Sequence, residues 1–273
     1  MECRALVAGV ARVQPSRRRR LACAVMLSAL TAAGSAVGAA PATDTLMIRG
    51  RPQTLHLYGA RGGSPVIVSS GDGGWVHLGP QVAEFLAARG CFVVGVDVKA
   101  YLVSFTGEAS TLKAEQVPGD YAALVDYAAR GDTRKSLLVG VSEGAALSVL
   151  AAADPSLQSR LAGVIGLGLG DVNELGWRWR DSIIYLTHAT PREPTFSTRA
   201  VVDRVAPLPL AAIHSTGDEY VPLAEVRSVM DAARDPKRFW LVTASNHRFA
   251  DNQAGLQARL IEAIAWIAGQ PAR

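Results

Sequence analysis

Cysteine is scarce in this sequence of 273 residues, which contains only Cys3, Cys23 and Cys91. The first two lie in an N-terminal segment with the layout of an export signal, so one cysteine remains beyond it. A single cysteine cannot form an internal disulfide, and a hydrophobic core must therefore stabilise the fold. The 231 residues from 43 to 273 suffice for one domain that buries about 70% of its unfolded surface.

The sequence also lacks motifs for metal and nucleotide binding. No H-E-x-x-H spacing indicates a metal site, and no G-x-x-x-x-G-K loop indicates a nucleotide site. Internal repeats and low-complexity linkers are lacking as well. We therefore expect one domain that works without a metal or other cofactor.

An excess of basic charge is lacking once the N-terminal segment is set aside. The formal net charge of +4 includes six Arg and one Glu within residues 1–42. The rest of the chain has 22 basic and 23 acidic residues, a net charge of about −1. Nothing in this balance indicates a nucleic-acid partner.

Residues 1–42 are predicted to be a secretory signal peptide. The arginines Arg17–Arg20 precede an apolar stretch, Leu21–Ala33, and small residues follow. Ala40–Ala42 and Val37–Ala39 are alternative cleavage sites. The apolar stretch is too short and too rich in Ala and Ser to favour a permanent membrane span, although a retained anchor is the alternative. We expect a periplasmic or secreted protein, with Sec and twin-arginine export both open.

Short apolar strands alternate with amphipathic helices through the rest of the chain. The predicted strands are Thr45–Ile48, Thr54–Tyr58, Val66–Val68, Phe92–Val96, Leu137–Val141, Val164–Leu167, Leu210–Ile213 and Phe239–Val242. The predicted helices are Val76–Arg89, Asp120–Arg130, Gly144–Ala153, Leu223–Arg234 and Gln253–Ala268. A turn at Arg49–Pro52 joins the first two strands. This alternation predicts a mostly parallel sheet covered by helices on both faces.

The segment from Gly140 to Gly144 reads G-x-S-x-G and stands between a short apolar run and a stretch of small residues. A buried strand, a tight turn and a helix in this order are typical of a nucleophile elbow. The two glycines remove side chains that would clash with the neighbouring strand and helix. The pattern predicts an acyl-transferring serine hydrolase with Ser142 as its nucleophile.

Candidate partners for Ser142 follow it in the chain. A serine hydroxyl needs a base within hydrogen-bond reach, and the base needs an acid that orients it. In α/β-hydrolases the chain order is Ser, then Asp or Glu, then His. Asp218 and His247 fit this order, and both follow predicted strands, where open α/β sheets place their sites. Glu219 is the alternative acid, whereas Asp97 is expected to hold its own loop.

A glycine-rich loop, Ser69–Trp75, follows an early predicted strand, where these enzymes supply one backbone N–H to the oxyanion. We expect the N–H groups of Asp72 and Glu143 to form the oxyanion hole, with Gly73 as the substitute for Asp72. The Glu143 side chain has two interpretations. It could attract the ammonium group of an aminoacyl ester, or it could be favoured in the first helical turn by the helix dipole.

Several segments resemble the bacterial VirJ/AcvB-type hydrolases of the α/β-hydrolase superfamily. The residues that carry the resemblance are Ser70–Trp75, Val82–Gly90, Val94–Asp97 and Tyr101. The resemblance implies a periplasmic protein with the α/β-hydrolase fold. The family it resembles includes enzymes that remove the aminoacyl group from aminoacyl-phosphatidylglycerol. It also implies Ser142 as nucleophile, Asp218 as acid and His247 as base.

The chain departs from that family at a few positions near the site. The family elbow usually reads G-Y-S-F-G-A-D, where this chain has Val141, Glu143 and Ala146. The family histidine commonly stands in H-H-F, where this chain has Asn246-His247-Arg248-Phe249. These departures leave the fold and the triad unchanged and bear on the substrate.

One segment breaks the alternation of strands and helices. It runs from Asp171 to about Pro194 and contains Trp177, Trp179, Tyr185 and His188. Hydrolases of this architecture often insert a lid at this point, so residues 171–200 are a candidate lid. The other interpretation is a surface excursion packed by its own aromatic side chains.

Together these patterns predict that residues 43–273 form an exported serine hydrolase that cleaves a small-molecule or lipid ester through an acyl-enzyme. An aminoacyl-phospholipid ester is the expectation from the family resemblance. A general carboxylesterase or lipase is the near alternative, and a non-catalytic envelope binding module on the same fold is the alternative from another class. Oligomeric state is left open. Action at a membrane surface is also left open, because no amphipathic basic helix is apparent in the sequence.

Overall fold

An eight-stranded sheet organises the residues that the computed structural model describes, which are 42–131, 133–179 and 193–271. The strands in chain order are β1 (Ala42–Ile48), β2 (Arg51–Tyr58), β3 (Ser64–Ser69), β4 (Cys91–Val96), β5 (Ser136–Val141), β6 (Leu161–Leu167), β7 (Val172–Glu174), β8 (Thr195–Ser197), β9 (Leu210–Ser215) and β10 (Lys237–Val242). The eight strands other than β7 and β8 form the main sheet in the order β1-β2-β4-β3-β5-β6-β9-β10. β2 pairs antiparallel with both β1 and β4, and the other neighbouring strands of the main sheet pair parallel, which confirms the predicted mostly parallel sheet.

Helices connect the parallel strands of the main sheet. They are α1 (Leu78–Ala87), α2 (Val98–Phe105), α3 (Val117–Ala129), α4 (Glu143–Ala152), α5 (Pro155–Gln158), α6 (Leu223–Ala232) and α7 (Gln253–Ala268). Each of the five predicted helices and eight predicted strands is present, with boundaries that differ by a few residues. The helices α2 and α5 and the short strands β7 and β8 were not predicted.

Apolar side chains are buried on both faces of the sheet. On one face, Leu86 of α1 and Leu260 of α7 belong to a single buried cluster. On the other face, Tyr121 of α3 and Leu147 of α4 belong to a second cluster. Burial of one such side chain stabilises the fold by about 1.5–3 kcal/mol. The predicted covering of the sheet by helices on both faces is confirmed.

The turn between β1 and β2 is shorter than the sequence predicted. Arg49 and Gly50 both have positive φ, 46° and 75°, and Ile48 pairs with Arg51. Two residues with positive φ match the twist of an antiparallel hairpin. Arg51 and Pro52, which were expected in the turn, are therefore the first residues of β2.

The unpredicted helix α2 has a recognisable start. Asp97 accepts a hydrogen bond from the backbone N–H of Ala100 at 2.9 Å and caps the helix. Val98, Tyr101 and Leu102 are buried, at helical spacing. Asp97 thus holds its own loop, as expected.

Two predicted segments lie wholly or partly outside the described residues. The predicted signal peptide, residues 1–42, lies outside them apart from Ala42, the first residue of β1. The candidate lid contains the antiparallel pair of β7 and β8, whereas Tyr185 and His188 lie outside the described residues. Trp177 is partly buried and Trp179 is 82% exposed. The lid therefore stays a prediction. Within the described ranges, no helix is long and apolar enough to cross a bilayer.

Candidate active site

Ser142 lies at a sharp turn between β5 and α4. Its backbone has φ 52° and ψ −119°, a conformation that a residue with a side chain rarely adopts. Its N–H donates to the carbonyl oxygen of Leu167 in β6 at 2.8 Å, and its carbonyl accepts from the N–H of Ala145 at 2.8 Å. These hydrogen bonds hold the strained turn in place, in the conformation of a nucleophile elbow.

The two glycines of the turn are required by close packing. A Cβ on Gly140 would collide with the carbonyl of Gly144 and the backbone of Ala145. A Cβ on Gly144 would lie 2.5 Å from the carbonyl oxygen of Ser69 and would also collide with that of Ser70. Glycine at position 140 therefore lets β5 and α4 approach closely, and glycine at position 144 lets the elbow pack against the end of β3.

His247 and Asp218, which are 29 positions apart in the chain, are in direct contact. His247 Nδ1 lies 2.6 Å from Asp218 Oδ2, and the Asp218 side chain is 1% exposed. Asp218 Oδ1 accepts from the N–H groups of Tyr220 and Val221, at 3.0 and 2.8 Å. Burial raises the pKa of Asp218, but hydrogen bonds and charge from His247 and these N–H groups outweigh it and hold the pKa below its ordinary value.

Glu219, the alternative acid, has a different contact with His247. Its Oε2 accepts a hydrogen bond from the backbone N–H of His247 at 2.7 Å. The imidazole ring contacts Asp218 instead. Glu219 therefore positions the backbone of the histidine, and Asp218 is the acid that can fix its tautomer.

Four of the predicted site residues line one cavity of about 240 Å³. Its lining includes Ser142 and His247 together with Asp72 and Gly73 of the glycine-rich loop. No hydrogen bond joins Ser142 Oγ to His247 in the described part of the chain. In sites without bound substrate, the contact between a nucleophile and its base is often long and shortens in the complex.

The two segments that carry the predicted oxyanion donors lie beside the nucleophile. A Cβ built on Gly71 would be 3.3 Å from the Ser142 Cβ, so the glycine-rich loop passes directly beside the serine. Glu143 is the first residue of α4, where backbone N–H groups have no partner within the helix. The roles of the Asp72, Gly73 and Glu143 amides stay predictions.

The Glu143 side chain does not line the cavity that Ser142 lines, and it is 8% exposed. Burial and the charges of Asp72 and Glu174 hold its pKa well above the ordinary value, although the backbone N–H of Glu174 opposes this shift. A carboxyl group that resists ionisation is poorly suited either to attract an ammonium group or to interact with the helix dipole. The structure favours a packing role between α4 and β7.

Several residues near the site were not predicted. His77, Tyr220 and Arg248 line the cavity, and the rings of Tyr220 and His247 meet edge to face with centroids 5.6 Å apart. Gly168 follows β6 with φ 62°, and a Cβ there would lie 2.5 Å from His247 Cε1. The tripeptide Asn246–Arg248 gave a weak signal for Arg248, because Arg248 directly follows the candidate base. Gly168 gave no signal in the sequence.

The described residues contain no group of three or more His, Cys, Asp or Glu side chains that could hold a metal ion. Cys91, on β4, is a partly buried free thiol. Burial raises the pKa of the Cys91 thiol, so a smaller fraction of it is in the reactive thiolate form.

Comparisons with known proteins agree with this architecture. The model of a family described as bacterial virulence protein (VirJ) matches residues 64–175. No curated protein matches the chain. Est1E from Butyrivibrio proteoclasticus is similar at 14% identity and a TM-score of 0.60, over 84% of this chain and 99% of that chain. A dienelactone hydrolase from Anabaena variabilis is similar at 14% identity and a TM-score of 0.57, over 84% and 99%.

A membrane phospholipase A, described as a novel bacterial virulence factor, is similar at 11% identity and a TM-score of 0.59, over 85% of this chain and 88% of that chain. At these identities the solved structures show a shared fold. The family match includes both the glycine-rich loop and the elbow. Residues 64–175 are therefore similar to the VirJ family, and the described residues have the α/β-hydrolase fold.

Proposed function

We propose that this protein is an exported serine hydrolase that cleaves an ester through Ser142, His247 and Asp218. The observation that carries the proposal is the 2.6 Å contact between His247 Nδ1 and Asp218 Oδ2 beside a cavity that Ser142 also lines. The hydrogen bond to Asp218 favours a proton on Nδ1, which leaves Nε2 free to accept the proton of the serine hydroxyl.

In this mechanism, Ser142 Oγ attacks the ester carbonyl while His247 accepts the hydroxyl proton. Asp218 stabilises the imidazolium that forms, and His247 then passes the proton to the leaving alcohol. Water activated by His247 hydrolyses the acyl-enzyme in the second half of the reaction. The N–H groups of Glu143 and Asp72, with Gly73 as substitute for Asp72, stabilise the oxyanion in both halves.

An aminoacyl-phospholipid ester is the proposed substrate. The resemblance to the VirJ/AcvB-type hydrolases implies this class, and the charged groups of the cavity fit it. Arg248 and His77 line it and are suited to a phosphate group, and Asp72 is suited to an ammonium group. A substrate with a cationic acyl group and an anionic leaving alcohol would use both charges.

A simple carboxylesterase is the second candidate. Val76, Leu78 and Val141 give the same cavity an apolar wall that could hold an acyl chain. The esterase and phospholipase neighbours share the fold that carries this wall. The two candidates differ in both the acyl group and the leaving alcohol, so the preferred substrate separates them.

The test compares hydrolysis of short and long p-nitrophenyl esters and of lysyl-phosphatidylglycerol by residues 43–273. We expect Ser142→Ala to lower kcat by at least about 10³-fold. Ser136→Ala is the matched control, since Ser136 is buried in β5 and its hydroxyl has no hydrogen-bond partner among the described residues. Equal turnover by the Ser142→Ala variant and the parent would refute the serine mechanism.

A fluorophosphonate probe distinguishes an enzyme from a non-catalytic binding module on the same fold. The probe labels a serine whose hydroxyl is activated by a base. We expect labelling of the parent protein and of Ser136→Ala, and none of Ser142→Ala. Absence of both labelling and turnover in the parent would favour the binding module.

Export is proposed from the order of Arg17–Arg20, an apolar stretch and small residues. Expression of the full chain followed by cell fractionation and N-terminal sequencing tests it. We expect a periplasmic or secreted protein that begins near residue 40 or 43. A retained N-terminus on the exported protein would contradict signal cleavage.

A further inference from the structure

His214 is a buried histidine of β9 whose ring lies next to the pair formed by His247 and Asp218. Its side chain is 1% exposed, and its Nδ1 lies 3.6 Å from Asp218 Oδ2. The same oxygen contacts His247 Nδ1 at 2.6 Å. Neither ring nitrogen of His214 forms a hydrogen bond within the described ranges. A buried polar group without a hydrogen-bond partner destabilises a fold, so its presence requires an explanation.

Burial is the main influence on the pKa of the His214 ring, and it lowers that pKa. The titratable groups that face it, within the described part of the chain, are Asp218 and His247. His247 adds to this lowering, whereas the Asp218 carboxylate and the backbone of Val221 oppose it, and the pKa of His214 lies below its ordinary value. A neutral imidazole carries one N–H, and a carboxylate that faces Nδ1 favours the tautomer with the proton on that atom.

We propose that His214 is a positioning residue, whose Nδ1–H faces Asp218 Oδ2 at 3.6 Å and stabilises its charge electrostatically rather than through a hydrogen bond. The N–H groups of Tyr220 and Val221 donate to Oδ1, so His214 adds a further polar group on the Oδ2 side of the carboxylate. Each of these groups stabilises the negative charge of Asp218 and weakens its hold on a protonated His247. His214 therefore extends the pH range in which His247 is available as a base. This inference rests on the proposed Ser-His-Asp mechanism.

The test compares His214→Leu with His214→Asn across pH 5 to 9. Leucine fills the space without a donor, whereas the asparagine amide puts an N–H near the position of Nδ1. For His214→Leu, we expect the acid limb of the kcat/KM profile to move to higher pH by about half a unit, or about 3-fold in rate at pH 6. The alkaline plateau should change by less than about 2-fold, and His214→Asn should keep the parent acid limb.

Two results would overturn the inference. One is an acid limb of His214→Leu that coincides with that of the parent protein. The other is an equal loss of rate at every pH in both variants, which indicates a packing role alone. If His214→Leu fails to fold, His214→Gln replaces it, because its amide lies one bond farther from the backbone than Nδ1. We expect the same upward shift of the acid limb for His214→Gln.

A second measurement separates this inference from the proposed function. Titration of ¹⁵N-labelled histidine rings by NMR follows His247 directly, with His247→Gln identifying its signals. We expect the midpoint of the His247 titration to rise in His214→Leu and to stay unchanged in His214→Asn. This result would support the positioning role even if the parent protein hydrolysed no ester. An unchanged midpoint in His214→Leu would refute it even if Ser142 proved catalytic.

Discussion

Gly168 lies against the imidazole ring of His247, and we expect Gly168→Ala to disable the proposed base. A Cβ at this position would lie 2.5 Å from His247 Cε1 and 3.0 Å from Nδ1. Favourable contacts between carbon atoms begin near 3.5 Å, so the ring or the loop has to move by about 1 Å. Because Gly168 has φ 62°, the new alanine would also be held in the left-handed region.

The size of the effect follows from these two perturbations. A ring shift of about 1 Å would lengthen the 2.6 Å contact between His247 and Asp218 beyond hydrogen-bond range. Misplacement by 1 Å costs about 10²-fold in rate in other enzymes, and we expect kcat/KM to fall by about that factor. The left-handed backbone should lower the free energy of unfolding by about 1–2 kcal/mol.

The assay is kcat/KM on the preferred ester, with urea unfolding to establish that the variant is folded. Gly166→Ala, two residues earlier and within β6, is the matched control, because its Cβ would meet Ala145 and Leu169 at an ordinary 3.4 Å. We expect Gly166→Ala to retain activity within about 3-fold, since it leaves His247 in place. A folded Gly168→Ala variant with more than a third of the parent activity would refute this reasoning.

Two further predictions concern the elbow and the acid. Gly144→Ala should prevent the elbow from packing on the end of β3 and should lower Tm by several degrees. Gly119→Ala in α3 is the control, because a Cβ there meets nothing within 4 Å and should leave Tm unchanged or raise it. Equal Tm values for the two variants would contradict this prediction. The pKa of Asp218 is lowered in the folded protein, so its charge contributes stability that is present above the ordinary carboxyl pKa of about 4 and is lost as pH falls through the lower folded value. In urea unfolding, Asp218→Asn should have a lower free energy of unfolding than the parent protein, by an amount that is constant near neutral pH and shrinks below about pH 4. A difference that persists unchanged to pH 3 would show that the charge of Asp218 is not its source.

The sheet and its helices were predictable because their signals are local. Runs such as Val66–Val68 and Phe92–Val96 are apolar without alternation, as expected for parallel strands buried on both faces. The last helix, Gln253–Ala268, was predicted with the observed boundaries. Helix α2 is absent from the predicted helices, and a loop is expected after β4, although the helix cap Asp97 and the spacing of Val98, Tyr101 and Leu102 are visible in the sequence.

The candidate site was predictable only in part. Ser142, Asp218 and His247 were selected by the turn at Gly140–Gly144 and by their order after predicted strands, and the structure brings the acid and the base into contact. The contact of Glu219 with the backbone of His247 was not predictable, because two adjacent acidic residues look alike in sequence. The orientation of Glu143 away from the cavity was equally hidden, since it depends on the packing of α4 against β7.

The sequence alone determined which segments form strands and helices, and it identified the strained turn that exposes a serine, because hydrophobic period and glycine spacing act over a few residues. Tertiary structure alone decided which side chains meet at the ends of those strands. Gly168, His214 and His247 follow or end three different strands and become neighbours only when β6, β9 and β10 pair side by side. Distances of a few ångströms between them arise from strand register and core packing, which are set by the whole chain.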